Sequence, residues 1–254
     1  MKTPQKPRLL AVANQKGGVG KTTTAVNLAT ALSAVGQNVL LIDLDPQGNA
    51  STSYGLDKTL PGTYQALISP KGAKQLVQSL GSLDILSSNS DLAGFEVELV
   101  NYQAREYYLK NLVKELDYDL VIVDSPPSLG LLTINALSAA TDILIPVQAE
   151  FFALEGLSQL LDTVGYVKKG LNQSLSLLGV VLTMYDSRLS LSQQVKIELE
   201  TNLRGKLFKT VIPRNVRLAE APSFAKPIVE YDRFSKGARL YKKLAKEVKE
   251  RLYG

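Results

Sequence analysis

The sequence predicts an α/β fold, a doubly wound and mostly parallel sheet with helices on both faces. Three observations predict it. Unbroken apolar runs recur along the chain, the pattern of strands buried on both faces of a parallel sheet. Segments with helical apolar periodicity separate them, so strand and helix alternate from end to end. The runs at 38–43 and 119–124 end in aspartate and the run at 9–13 enters a glycine-rich turn, which places polar chemistry where open α/β sheets hold ligands. There is no internal repeat and no low-complexity linker, so residues 1–254 are expected to form a single domain, with 1–8 as a polar, flexible arm rather than a signal peptide.

The first strand is expected at 9–13, and the helix after it starts near Lys21 with Ala25, Val26, Leu28, Ala29 and Leu32 on one face. Gly36 ends that helix, and 38–43 is the next strand. Residues 63–67 and 73–80 read as short helices, 83–86 as a strand, and 92–116 as a helical stretch with Leu99, Tyr102, Leu109, Leu112, Val113 and Leu116 as its apolar positions. Residues 119–124 form a strand that Ser125-Pro126-Pro127-Ser128 stops. The strand at 142–148 contains Pro146, a poor fit in a central ladder unless it stands at the strand's end. A helix from 151 to about 169, a strand at 177–184, a helix at 191–202 and a short strand at 208–212 follow. The last helix, 237–252, carries Leu240, Tyr241, Leu244, Ala245, Val248 and Leu252 on one stripe.

The chemistry concentrates in Lys16-Gly17-Gly18-Val19-Gly20-Lys21-Thr22-Thr23. Three glycines in four positions let the backbone curl so that several N–H groups converge on one anion. The following helix adds its positive N-terminal end to the same spot. Lys21 supplies a mobile cation for outer phosphates, and the Thr22 hydroxyl is placed to ligate Mg²⁺. This is a phosphate-binding loop, and the fold is of the P-loop NTPase type. Asp43 and Asp45 lie two residues apart at a strand's carboxyl end. Asp124 occupies the place where P-loop ATPases hold Mg²⁺, often through water.

Composition narrows the chemistry further. There is no cysteine, which excludes disulfides, thiolate metal sites and iron–sulfur clusters, and no histidine, which removes the usual general base. Metal chemistry must use oxygen ligands, as Mg²⁺ does. No run approaches the ~18 apolar residues of a membrane span, so a cytoplasmic protein is expected. The net charge of +5 is uneven: residues 1–165 hold 11 Lys/Arg against 16 Asp/Glu, and residues 166–254 hold 18 against 8. The basic end can neutralise a polyanion.

The loop departs from the general G-x-x-x-x-G-K-S/T pattern, with Gln15 at the first glycine position and Lys16 after it. K-G-G-x-G-K-T resembles the deviant P-loop of the ParA/MinD class, and D-x-D-P-Q-G-N at 43–49 resembles the second acidic motif of ParA-type ATPases. With Asp186-Ser187-Arg188 and the 212–223 segment added, the chain is similar to chromosomal Soj/ParA-type partition ATPases over nearly its whole length. The resemblance implies an ATP- and Mg²⁺-dependent ATPase, weak without its partner, that closes as a homodimer around the nucleotide. It also implies binding to double-stranded DNA without sequence preference, hence a nucleoid-associated protein, and release from DNA by a ParB-type centromere-binding protein. It implies that Lys16 reaches the partner subunit's phosphates, that Asp45 orients the attacking water, and that Asp43 supports the metal and phosphate site. Gly17, Gly18, Val19, Gly20, Lys21, Thr22 and Thr23 match the nucleotide loop. Met184 and Pro213 are placed by the adenine, and Arg188, Arg217 and Arg214 on the DNA face. A MinD-like membrane-associated switch shares the loop but ends in an amphipathic membrane helix, whereas the stripe at 237–252 reads as one packed on the sheet. A nitrogenase-reductase-like electron carrier needs cluster cysteines and is excluded. A small-molecule kinase or ligase of this fold remains an alternative.

Overall fold

The computed structural model describes residues 7–254, and the expectation for an N-terminal arm lies outside the described residues up to 6. Arg8 does not belong to an arm. It opens the first strand, with its guanidinium on the Leu252 carbonyl (2.6 Å) and Asp142 (3.4 Å).

The strands are β1 (Arg8–Val12), β2 (Val39–Asp43), β3 (Gln78–Leu80), β4 (Leu83–Leu86), β5 (Leu120–Asp124), β6 (Asp142–Gln148) and β7 (Ser176–Thr183). They form one sheet in the order β3-β4-β2-β5-β1-β6-β7, parallel except for β3 against β4. The helices are α1 (Lys21–Ser33), α2 (Asn49–Thr52), α3 (Thr63–Ile68), α4 (Phe95–Glu98), α5 (Tyr108–Lys114), α6 (Leu131–Ala139), α7 (Ala153–Gly170), α8 (Ser190–Leu203), α9 (Val216–Glu220), α10 (Ile228–Tyr231) and α11 (Lys236–Tyr253).

Strand alternation divides the core in two. Leu9, Ala11, Val121, Val123, Ile143 and Ile145 face the layer of α5, α6, α7 and α8. Leu10, Val12, Leu120, Ile122, Leu144 and Val181 face α1, α10 and α11. Both faces are covered, so the central strands are apolar at every position but their ends. β1 pairs with β6 only as far as Leu144, so Pro146 lies past that ladder, in register with Val181 of β7 alone.

Three expected elements differ. Residues 73–80 are not a helix: a 3-10 turn at Pro70–Gln75 precedes β3, which folds back on β4 through Gly81-Ser82, with Gly81 at φ +82°. Ladder bonds to β4 outweigh a local apolar period. The stretch 92–116 is broken into α4, a turn containing Ala104 at φ +56°, and α5, because long-range bonds from α6 hold both halves. Residues 208–212 are not a strand. Phe208 and Ile212 donate to Val180 and Leu182, but the N–H groups of Lys209 and Thr210 between them go to the Glu247 carboxylate at 2.7 and 3.1 Å.

Candidate functional site: a phosphate-binding cradle at the sheet's carboxyl edge

The turn between β1 and α1 depends on two glycines with left-handed backbone, Gly18 at φ +76° and Gly20 at φ +84°, which L side chains rarely adopt. Two neighbouring strands clamp it. Asn14 donates to the Pro146 carbonyl at the end of β6 (2.7 Å) and accepts the Lys16 N–H (3.0 Å). Thr183, the last residue of β7, donates its hydroxyl to the Val19 carbonyl (2.8 Å). The loop is therefore held at its base and far side, with Gly17 and Gly18 left exposed at its mouth.

Lys21 lies buried at the start of α1, its Nζ on the Lys16 carbonyl at 3.0 Å. Burial lowers its pKa, opposed by the charges of Asp124 and Asp45. Asp43 and Asp124 sit in register at the carboxyl ends of β2 and β5, both fully buried. Their surroundings differ. The Asp43 carboxylate accepts the Ser51 N–H (2.8 Å), the Ser51 hydroxyl (2.7 Å) and the Asp45 N–H (3.2 Å). Burial still pushes its pKa up to about 6. Neither oxygen of Asp124 meets a hydrogen-bond partner in good geometry among the described residues. Burial raises its pKa well above the ordinary range, reinforced by Asp43, although Thr22 and Lys21 lie near enough to favour its charged form. The Asp43 oxygens are thus engaged by Ser51 and by the Asp45 N–H, whereas the Asp124 oxygens have no such donors in good geometry among the described residues.

Asp45 caps its own turn through Gln47 N–H (3.0 Å), and Ser88 donates to its carbonyl (2.7 Å). It lines a cavity of about 440 Å³ together with Gly17, Lys21, Thr22, Asn27 and Met184. An adjoining cavity of about 220 Å³ is lined by Met184, Pro213, Arg214 and Tyr241. The two share Gly20, Thr23 and Met184, so the expected phosphate and base residues line one continuous surface. The loop glycines and Lys21 line the first cavity, and Met184, Ile212, Pro213 and Leu218 give the second an apolar wall.

Lys16 stands at the mouth, 2.5 Å from Glu150 of its own chain. Arg188 and Arg217 are well exposed. Arg188 makes a bidentate pair with Asp186 (2.9 and 2.6 Å), which holds the Asp186 carboxyl down to about 2 with help from Arg214. Arg217 lies on Glu220 (3.1 Å) and reaches toward Asp232 (3.9 Å). Asn14, Asn27, Ser51 and Thr183 are site residues that sequence reasoning missed. Only Asn14, directly before the glycine loop, carried a local signal. Thr183 and Asn27 have partners far along the chain, the Val19 carbonyl and the Ile228 N–H, and Ser51 reaches Asp43 only because α2 folds back on the end of β2.

A family profile described as an AAA domain matches residues 7–177. The chain is 50% identical over 247 residues to the sporulation initiation inhibitor protein Soj of Bacillus subtilis, covering 95% of this chain and 98% of that protein. It is 47% identical over 250 residues to the chromosome partitioning protein ParA of Myxococcus xanthus, covering 96% and 88%. Among solved structures, one titled cobyrinic acid a,c-diamide synthase from Mycobacterium smegmatis, with bound ADP and magnesium, superposes with a TM-score of 0.83 at 39% identity over 95% of this chain and 93% of that one. The ATP complex of a McdA variant from Cyanothece superposes with a TM-score of 0.84 at 26% identity, covering 97% and 96%. With the glycine cradle, the paired strand-end aspartates and this likeness over nearly its full length, the chain belongs to the ParA/Soj family of chromosome-partitioning ATPases.

Proposed function

We propose that this protein is a Mg·ATP-driven switch that dimerises around its nucleotide, binds DNA without sequence preference, and leaves it after hydrolysis stimulated by a ParB-type partner. The observation that carries the reading is the Asp124 carboxylate, fully buried without a hydrogen-bond partner in good geometry, behind the Thr22 and Lys21 that line the glycine cradle. Such a carboxylate is costly unless a cation completes it. Among the described residues no three acidic or histidine side chains cluster as a metal cage. That suits Mg²⁺, which takes one or two protein oxygens and fills its shell with phosphate oxygens and water. Asp124 and the Thr22 hydroxyl would hold it, and when bound it neutralises charge on the phosphates.

The chain's own groups carry the rest. The loop N–H groups and Lys21 hold the outer phosphates. Asp45, its N–H held by Asp43, orients water in line with the γ-phosphorus; the water oxygen bonds to phosphorus as the bond to the bridging oxygen breaks, the water proton passes to a phosphate oxygen, and ADP and inorganic phosphate leave. Lys16 exchanges Glu150 for the partner subunit's phosphates, which makes dimer closure depend on ATP. This arrangement alone turns over slowly, and a partner protein that completes it with a cation of its own accelerates hydrolysis. Arg188, Arg214 and Arg217 on the exposed basic half provide backbone contacts, which give affinity without sequence. Such a protein acts in the cytoplasm, on the nucleoid.

A MinD-like membrane reading fits less well. The apolar stripe of α11 is buried against α1, with Tyr241, Leu244, Ala245, Val248 and Leu252 in the core. No helix among the described residues is long and apolar enough to cross a membrane. The deciding experiment is binding to random-sequence duplex DNA with ATP, ADP or no nucleotide across a salt series. Binding only with ATP and a steep loss with salt is expected. ATP-driven dimers that ignore DNA would overturn the reading, and liposome sedimentation would then test the membrane alternative.

A further inference from the structure

One surface segment has both its ends fastened to α6, the helix that follows the Asp124 loop. At the first end, the Glu96 carboxylate accepts the Leu132 N–H at 3.2 Å. Gly130 makes this possible, since a Cβ there would overlap that carboxylate. At the second end, the fully buried Asn135 donates to the Arg105 carbonyl (2.8 Å) and accepts the Leu109 N–H (3.2 Å). Between these ends the chain arches outward and carries Val97, Val100 and Tyr102, which are 76%, 57% and 60% exposed.

The charge around the arch is one-sided. Residues 75–104 contain no Lys or Arg, in a chain with 29 of them; Asp84 lies apart, taking the Tyr118 hydroxyl at 2.8 Å beside Lys74, and three carboxylates belong to the arch: Asp91, Glu96 and Glu98. Two of them are fixed at the rim. Tyr64 donates its hydroxyl to Glu98 at 2.5 Å, and Gln65 donates to Asp91 at 2.7 Å. The bond to Glu98 raises the Tyr64 pKa, and Asp91 and Tyr102 lie near enough to add to it, so these groups share one patch. Arg105, next in the chain, is turned onto the Val100 carbonyl and Glu106. An apolar centre with an anionic rim repels nucleic acid and anionic lipid. It accepts a segment with apolar side chains on one face and cations beside them.

We propose that this arch is the docking surface for a basic amphipathic segment of a partner protein, and that Glu96 carries its occupancy to α6 and the Asp124 loop. The proposal rests on the partner-stimulated cycle above and places the partner on the acidic side of the molecule, away from the basic half.

The test titrates the full chain with Mg·ATP against the purified ParB-type protein of the same organism, reading direct binding by anisotropy and ATP turnover separately. Val97→Asp combined with Val100→Asp, and independently Glu98→Lys, are expected to weaken partner binding about tenfold or more. Basal turnover and DNA binding should stay at wild-type levels, and wild-type partner binding should fall with salt. Glu96→Ala is expected to bind the partner yet lose stimulation at saturation. Unchanged partner binding in both surface variants overturns the docking site while leaving the switch reading intact. Full stimulation of Glu96→Ala overturns the transmission. Loss of self-association in the surface variants makes the patch a contact between copies and overturns the partner assignment. A wild-type chain that does not bind the protein overturns both this proposal and the partner in the cycle.

Discussion

At the residue scale, two adjacent strand-end aspartates have been given different tasks by their neighbours. Three donors occupy Asp43, and it keeps a pKa of about 6; Asp124 has no such donors and is raised further by Asp43 itself. A carboxyl whose pKa is higher folded than unfolded stabilises the fold fully below about pH 4 and loses that contribution as pH rises through its folded value. The melting temperature of protein free of nucleotide and metal should therefore fall as pH rises from about 4 through about 6. Asp124→Asn should flatten that dependence and raise stability at neutral pH by about 1–3 kcal/mol, since a buried unpaired charge is removed. The same variant should lose Mg²⁺-dependent ATP turnover. A melting profile and turnover identical to wild type would remove Asp124 from the metal position.

At the element scale, two side chains of α11, Glu247 and Arg251, hold the irregular stretch after α8 at the sheet's edge. Arg251 donates to the carbonyls of Leu178, Lys206 and Leu207 at 3.1, 3.1 and 2.9 Å and stacks on Phe208 at 3.9 Å. Gly179 lacks the Cβ that would collide with this guanidinium. Removing the head takes three hydrogen bonds from these carbonyls, of which that of Lys206 still accepts the Val180 N–H, and uncovers an aromatic face, so Arg251→Ala should cost about 2–4 kcal/mol in denaturant unfolding. A loss under about 1 kcal/mol would show that the Glu247 bonds and apolar packing hold the edge without it. The elements easiest to read were those with local causes: the all-apolar strands, the glycine loop, and α11 with its stripe. α6 was missed because Leu131-Leu132-Thr133-Ile134-Asn135-Ala136-Leu137 is apolar nearly all round and offers no period to read. Residues 92–116 were misread for the opposite reason, since their period is real but Glu96 and Asn135 bonds break it in two.

At the scale of the whole molecule, the proposed role of Lys16 is to link the nucleotide to assembly. Its pair with Glu150 is partly exposed, with side chains 38% and 44% accessible, and such pairs contribute about 0–1 kcal/mol. A second subunit's triphosphate can therefore displace Glu150 at little cost. Lys16→Ala should bind ATP as wild type does and remain monomeric in sedimentation velocity with ATP; an intact ATP dimer would contradict the contact between subunits. The charge asymmetry acts at the same scale. The basic half of the sequence bears Arg188, Arg214 and Arg217, and the stretch 75–104, without Lys or Arg, supplies the β3–β4 edge of the sheet and α4, which is the separation the two proposed partners require.

The amino-acid sequence by itself determined the fold class, the cradle and the identity of the acidic and basic side chains around it. These follow from backbone freedom at glycines and from apolar runs, which act within a few residues. Only the tertiary structure decided which aspartate is left with free acceptors, that Thr183 and Asn14 brace the loop, and that Lys16 rests on Glu150. Those outcomes depend on hydrogen bonds and ion pairs between residues that lie far apart in the chain or on neighbouring strands, and burial then sets their energies; no local pattern records either.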